Sequence, residues 1–446
     1  MTTPICDFVK KYACGDSLRL HMPGHKGKSF LGAELRDITE VEGADILYMS
    51  NGIIAESQNN ASTLFGAKKT LYSTEGSSLC IRAMIQIAVL SAKERGLKPK
   101  ILAARNAHKS FMSGIALLDV DVEWLYPEKQ DNLMSCKTDA EYLFNYISVM
   151  EEKPTAVYIT SPDYLGNMSD IAEIARVCHE NGVLLMVDNA HGAYLRFLPE
   201  DKHPLTLGAD ICCDSAHKTL PVLTGGAYLH ISECAPHVIC DMAEHAMTLF
   251  ASTSPSYLIL QSLDMANLYL SHDYKKNISE LSKKLDELKK KLSDKGFELV
   301  GDEKLKLTIS PKSYGYTGDE IAEILKKDGI VCEMSDSDFI VMMFTPEISD
   351  EDIERLHSSL MKIEGREAIT DKAPVPSATE RVLSVRDAML SASAEVTIED
   401  AHGEVLASAS VSCPPAVPIL IAGERIDKNA IECFGYYGID KVRVVR

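Results

Sequence analysis

The run DSAHKTLPVLTGG (214–226) sets Lys218 just past a short apolar stretch, ADICCDSAH (209–217), and ahead of a proline and two glycines. A lysine there is either a solvated loop residue or a buried amine, and a desolvated amine that sheds its proton is a nucleophile toward carbonyls. Asp188 stands near the end of GVLLMVDNAH (182–191), thirty residues before Lys218. A carboxylate in that position suits a metal, a ribose hydroxyl or a protonated ring nitrogen, and equally an ordinary turn. His108 ends KILAARNAH (100–108), and His191 follows Asp188 by three residues. The loop STEGSS (73–78) opens a helix-patterned stretch, where backbone N–H groups make an anion site. A serine N-cap would account for that loop alone.

What unites these residues is the kind of element that carries them. KILAARNAH, TAVYITSP (155–162), GVLLMVDNAH and ADICCDSAH are short apolar runs, each ending in polar residues. Helix-patterned segments separate them, among them SSLCIRAMIQIAVLSAKERG (77–96), with a serine start and a stop at Gly96. Runs apolar on both faces and separated by helices predict an α/β fold with a mostly parallel sheet. Ligands bind such sheets beyond the carboxyl ends of the strands, so His108, Asp188, His191 and Lys218 are predicted to face one crevice. A phosphate-ready loop, a histidine, an aspartate and a lysine together match the needs of pyridoxal phosphate (PLP). The lysine condenses with its aldehyde, the aspartate keeps its ring nitrogen protonated, and a flat side chain covers one ring face.

The bulk properties narrow the classes. The chain has 446 residues, 46% hydrophobic and 25% charged, which predicts a soluble protein of two or three domains. Its net charge of −19, from 46 basic and 65 acidic residues, argues against nucleic acid as a partner. No apolar leader or span of about 18 apolar residues is present, so neither export nor a membrane is expected and the cytoplasm is the predicted location. The twelve cysteines form no CxxC pair, and no metal site is expected.

The boundaries predicted are an N-terminal segment to residue 45, a large cofactor-binding domain over 46–300, and a small α+β domain over 301–370. A linker and C-terminal segment follow over 371–446. In the connecting stretch, Ile278, Leu281, Leu285, Leu288 and Leu292 recur at helical spacing. That stripe suits a helix packed on its own protein better than a coiled coil of two heptads. In the small domain, KLKLTIS (304–310) alternates like a half-buried strand, and Thr317 with Glu320 forms a capping box.

Nearly the whole chain resembles the Orn/Lys/Arg decarboxylase family, the group-III basic amino acid decarboxylases of PLP fold type I, in its short bacterial form without an N-terminal wing domain. The resemblance runs through HMPGHKG (21–27), DITEVEGADIL (37–47), LFGAKKTLY (64–72), RNAHKS (105–110), SPDYLGNMSDI (161–171) and VDNAHGAYLRF (187–197). It continues through SAHKTLPVLT (215–224), STSPSYLILQSLD (252–264) and PPAVPILIAGERI (414–426). It implies an aspartate aminotransferase-like large domain with a smaller α+β domain. It also implies PLP joined to Lys218, Asp188 on the ring nitrogen and His108 stacked on the ring. Gly76, Ser77, Ser78, Ser215 and His217 would lie about the phosphate, with Ala190 and His191 beside the ring. Thr253 and Ser254 would reach a neighbouring subunit's cofactor, which implies a homodimer or an assembly of dimers.

The activity implied is decarboxylation of arginine, lysine or ornithine, with polyamine metabolism as a setting and Lys218 or His217 as proton donor to Cα. Asp163 is a candidate for the substrate's cationic end, or else a turn residue before Tyr164 and Gly166. Arg386 is a candidate for its carboxylate. Asn189, Tyr194, Gly225, Gly226, Glu75 and Asp163 depart from the family pattern, which usually reads DEAHGAH where this chain has DNAHGAY. An aminotransferase, a Cβ–S lyase, or a PLP-binding homologue without turnover stay open as alternatives.

Overall fold

The computed structural model describes residues 1–127, 132–408 and 417–446. Pro414, Pro415 and Ala416, which open the last family-like motif, lie outside the described residues. The main sheet has seven strands: β1 (Lys69–Ser73), β2 (Lys100–Ala104), β3 (Asp121–Leu125), β4 (Ala156–Thr160), β5 (Leu184–Asp188), β6 (Ile211–Asp214) and β7 (Ala227–Ile231). Their order is β1-β7-β6-β5-β4-β2-β3, and the sheet is mostly parallel, as the apolar runs predict. All of β5, β6 and β7 is buried, so these strands read as continuous apolar runs rather than alternating ones. β5 and β6 pair in parallel, whereas β7 is antiparallel to β6 and to β1. The segment that bears Lys218 is thus a direct return from β6 into its antiparallel neighbour β7 rather than a crossover between parallel strands.

The helix Gly76–Glu94 starts one residue before the serines. Glu75 takes the cap position with no side-chain cap hydrogen bond, so the serine N-cap expected from the sequence is not formed. Gly96 follows that helix with a left-handed φ of +66°. The predicted leucine stripe lies on the helix Tyr274–Lys295, and its five apolar residues are all buried within the chain.

A second sheet of four strands, in the order β10-β11-β9-β8, is formed by β8 (Glu298–Val300), β9 (Lys306–Ser310), β10 (Met334–Ser335) and β11 (Ile340–Met343). The capping box predicted at Thr317 and Glu320 is formed. β9 departs from its alternating pattern, because Lys306 is buried as well as Leu307, Thr308 and Ile309. The Lys306 ammonium is satisfied there by the Asp163 carbonyl at 3.2 Å and the Glu303 carboxylate at 3.5 Å.

By contact density the chain forms two units interleaved in sequence. The first contains Met1–Ile101, Leu143–Ile159 and Ile171–Lys276; the second contains Leu102–Tyr142, Thr160–Asp170 and Asn277–Arg446. No described helix is long and apolar enough to cross a membrane.

Candidate active site

Most of the sequence-predicted residues belong to the first unit. Asp188 ends β5 and is buried; its Oδ2 accepts the Tyr158 hydroxyl at 3.0 Å and its Oδ1 accepts the Ala190 N–H at 3.2 Å. Tyr158 lies within β4, inside a run that reads only as apolar, so nothing in the sequence marks it as a partner. Asp188 is in register with Cys213 on β6, one residue before the turn into the lysine segment.

The chain leaves β6 through Ser215 into a single helical turn, Ala216–Thr219, that carries His217 and Lys218. Lys218 is partly buried, and its Nζ lies 3.1 Å from His191 Nε2. The amine therefore faces the ring nitrogen of His191, so two of the predicted residues meet directly, and Asp188 lies three residues before His191 at the end of β5. His217 Nδ1 lies 2.9 Å from the Gly226 carbonyl, which can only accept, so Nδ1 carries the proton and Nε2 of the neutral ring does not. Burial, with the neighbouring Lys218 charge, pushes the His217 pKa down and favours that neutral ring.

The phosphate-ready loop lies beside the lysine segment. Ser215 Oγ donates to Ser77 Oγ at 2.8 Å, and the Gly76 N–H donates to the Gly225 carbonyl at 2.7 Å. Gly76 and Gly225 both have positive φ, +69° and +100°. A Cβ on Gly225 would meet the Thr74 carbonyl at 2.9 Å, and one on Gly226 would meet Val222 at 2.3 Å. Both departures from the family pattern at 225 and 226 thus match the tight return that lets this loop close on residues 74–76. Glu75 does not turn its carboxylate onto the helix start: its Oε1 accepts the Ser252 N–H at 2.7 Å. That bond fixes the loop of Thr253 and Ser254, both exposed, beside the helix start. Tyr194 is fully buried in a short 3-10 turn.

The second unit holds His108, Asp163 and Arg386. His108 caps the helix Lys109–Leu118, where its Nδ1 accepts the Ser110 N–H at 3.1 Å, so its Nε2 carries the proton when the ring is neutral. Asp163 is buried, but its carboxylate closes its own turn. It accepts the N–H groups of Leu165 and Asn167 and the Asn167 side-chain amide, each at 2.9 Å. Burial raises its pKa despite those donors. The turn alternative for Asp163 therefore describes what its carboxylate does. Arg386 departs from expectation in the same way: its guanidinium donates to the carbonyls of Ala116 and Leu117 at 2.9 and 3.1 Å, at the end of the helix Lys109–Leu118. That is the ordinary use of a cation at a helix C-terminus, where carbonyls lack partners.

One group of polar residues escaped the sequence reading. His203, Asp214 and His230 converge in the interior of the first unit, fully buried. Their positions share no spacing, and only the sheet brings them together.

The fold is of the PLP-dependent transferase-like class, fold type I. The solved lysine decarboxylase of Francisella novicida superposes over the whole chain and 81% of its own length, with a TM-score of 0.80 at 17% identity. Two proteins of Bacillus subtilis strain 168 are similar nearly end to end. The uncharacterized protein YaaO is 29% identical over 97% of this chain and 93% of its own length. An arginine decarboxylase is 29% identical over 96% and 92%. The family model for the major domain of Orn/Lys/Arg decarboxylases matches residues 3–311, and the chain belongs to that family. It is a PLP-dependent amino acid decarboxylase.

Proposed function

We propose that this enzyme decarboxylates a basic amino acid, arginine, lysine or ornithine, to the corresponding amine and CO₂, with PLP held on Lys218. The observation that carries this reading is the pairing just past the ends of the adjacent strands β5 and β6: the Lys218 amine lies against His191, and β5 ends in the buried Asp188 carboxylate. The residues present fit the cofactor. A primary amine is available for its aldehyde and a buried carboxylate for its ring nitrogen. A helix start flanked by Ser77 and Ser215 is available for its phosphate.

When bound, PLP supplies an electron sink for the bond broken at Cα. Asp188, oriented by Tyr158 and the Ala190 amide, would hold a proton at the ring nitrogen. Ser77, Ser78, Gly76 and Ser215 would hold the phosphate, and Ala190 and His191 would line the ring; His108 is the residue to which the family resemblance assigns stacking on it. Lys218 is the better proton donor to Cα. His217 is kept neutral and has its ring proton directed at the Gly226 carbonyl.

The same reading makes the enzyme a homodimer in which Thr253 and Ser254 reach the partner's cofactor. The segment 18–49 supports a covered surface, since Leu18, Leu20, Phe30 and Leu31 are 79–95% exposed. We place it in the cytoplasm, in polyamine metabolism. Arginine is the first substrate to test, because the B. subtilis relative is an arginine decarboxylase. Purified protein with PLP should release CO₂ and agmatine, cadaverine or putrescine from one of the three amino acids. A keto acid or thiol without CO₂ would replace this reading with a transaminase or lyase.

A further inference from the structure

The strand ends that carry Asp188 and Lys218 are also joined by side chains that touch neither residue's reactive atoms. The last register pair between β5 and β6 is Asp188 with Cys213, and the Asn189 N–H still donates to the Cys213 carbonyl at 3.0 Å. One residue further, side chains take over from the backbone: Asn189 Nδ2 donates to Asp214 Oδ1 at 2.7 Å. The other carboxylate oxygen lies 3.0 Å from His203 Nε2 and 3.3 Å from His230 Nε2. His230 Nδ1 in turn lies 2.9 Å from Thr70 Oγ1 on β1, and Phe65 packs against both imidazoles. Asn189, His203, Asp214 and His230 are all 0% exposed. Full burial shields these groups from bulk solvent, so each bond matters more than it would at the surface.

Burial alone would raise the Asp214 pKa, but the two histidines hold it well below the usual carboxylate range. The link is thus an amide donating to a carboxylate, a charge-assisted bond. An acid at position 189 would place a second carboxylate against Asp214 with no solvent to screen it, which gives the departure to asparagine a physical reason. Gly192 completes the arrangement, because a Cβ there would lie 2.0 Å from the Asn189 side-chain oxygen.

We propose that Asn189 and Asp214, clamped by His203 and His230, are positioning residues that set the spacing between the Asp188 strand end and the Lys218 segment, and so the orientation of the cofactor ring. The proposal rests on the PLP reading above. Ser215 follows Asp214 directly and bonds Ser77, so a shift of Asp214 moves a phosphate-side contact and the lysine together.

The test compares Asn189→Ala with Asn267→Ala in full-length protein reconstituted with PLP. Asn267 is an equally buried amide of the same unit, whose bonds run to the Tyr72 hydroxyl at 2.6 Å and the Ser57 carbonyl at 3.1 Å. Asn189→Ala is expected to keep the visible band of the attached cofactor, because Lys218 is intact. It should lose at least about half of the circular dichroism induced in that band and weaken PLP binding about tenfold, the loss of roughly one good hydrogen bond. Asn267→Ala should lower the melting temperature of the apoprotein while leaving the induced signal as in the wild type. Should Asn189→Ala not fold, Asp214→Asn decides, since it keeps the shape, removes the charge and should move the same two readouts. Wild-type values in the variant, or equal losses in Asn267→Ala, would overturn the proposal. So would a stoichiometric metal found on His203, Asp214 and His230, because the carboxylate would then be a ligand. A wild type that takes up no PLP would instead overturn the function proposed above, and this inference with it.

Discussion

Asp188 and Asp163 are both buried acids at the carboxyl ends of strands, yet their surroundings differ in kind. Asp188 takes a hydroxyl from Tyr158, thirty residues away in sequence, and a single local amide. Asp163 takes three donors from within four residues of itself, and the Ser135 hydroxyl reaches it from farther along the chain. The same contrast separates Lys218, which faces His191, from Arg386, which binds carbonyls at a helix end. A polar side chain saturated by its own turn or by a helix terminus has a structural task. One held by distant partners at the mouth of a sheet is placed for chemistry.

Variants can break this contrast, and the largest effect belongs to Lys218. Lys218→Ala should abolish the visible band of bound PLP and lower decarboxylation at least about a thousandfold. A variant that keeps either would place the attachment elsewhere. Next in size is Tyr158→Phe, which removes the hydroxyl donor to Asp188 and leaves it the Ala190 N–H and the Cys213 thiol. We expect kcat to fall at least about tenfold, as for the loss of one hydrogen bond to a charged group, with substrate KM little changed.

In the second unit the effects should fall on stability instead. Asp163→Asn sets an amide against the Asn167 amide and should lower thermal stability. Its KM for each basic amino acid should stay within about threefold, because a lost ion pair to substrate would cost far more. Arg386→Ala should cost about 1 kcal/mol of stability in a denaturant titration, with kcat/KM essentially unchanged.

The smallest effect tests electrostatics away from the site. Burial, reinforced by Asp338 and Asp319, raises the Asp336 pKa from 3.8 to about 6 despite two backbone donors. The folded state therefore binds this proton more tightly than the unfolded chain. That contribution is complete below pH 3.8 and is lost as the pH rises through about 6. Asp336→Asn should melt higher than the wild type above pH 7, by about 2 °C, and match it near pH 4.

Much of the fold is legible in the sequence because it rests on local patterns. Runs such as LLMVD and ICCD are apolar throughout, which requires cover on both faces, and the stripe from Ile278 to Leu292 has a helical period. Lys218 and Asp188 were legible because each interrupts such a run at its end. Tyr158 was not, since a tyrosine inside a strand reads as core. The cluster of Asn189, His203, Asp214 and His230 was not legible either, because β7 doubles back antiparallel and brings His230 to Asp214. Asp163 and Arg386 have suitable charges, and only their hydrogen bonds reveal that those charges are already engaged.

The central claim is that the Lys218 amine, among all the lysines of this chain, carries the cofactor. Borohydride reduction of the PLP-loaded enzyme, followed by peptide mass mapping, tests it directly. One cofactor mass per chain is expected, on the peptide that contains Lys218. A cofactor mass fixed on any other lysine, or none on that peptide, would contradict it.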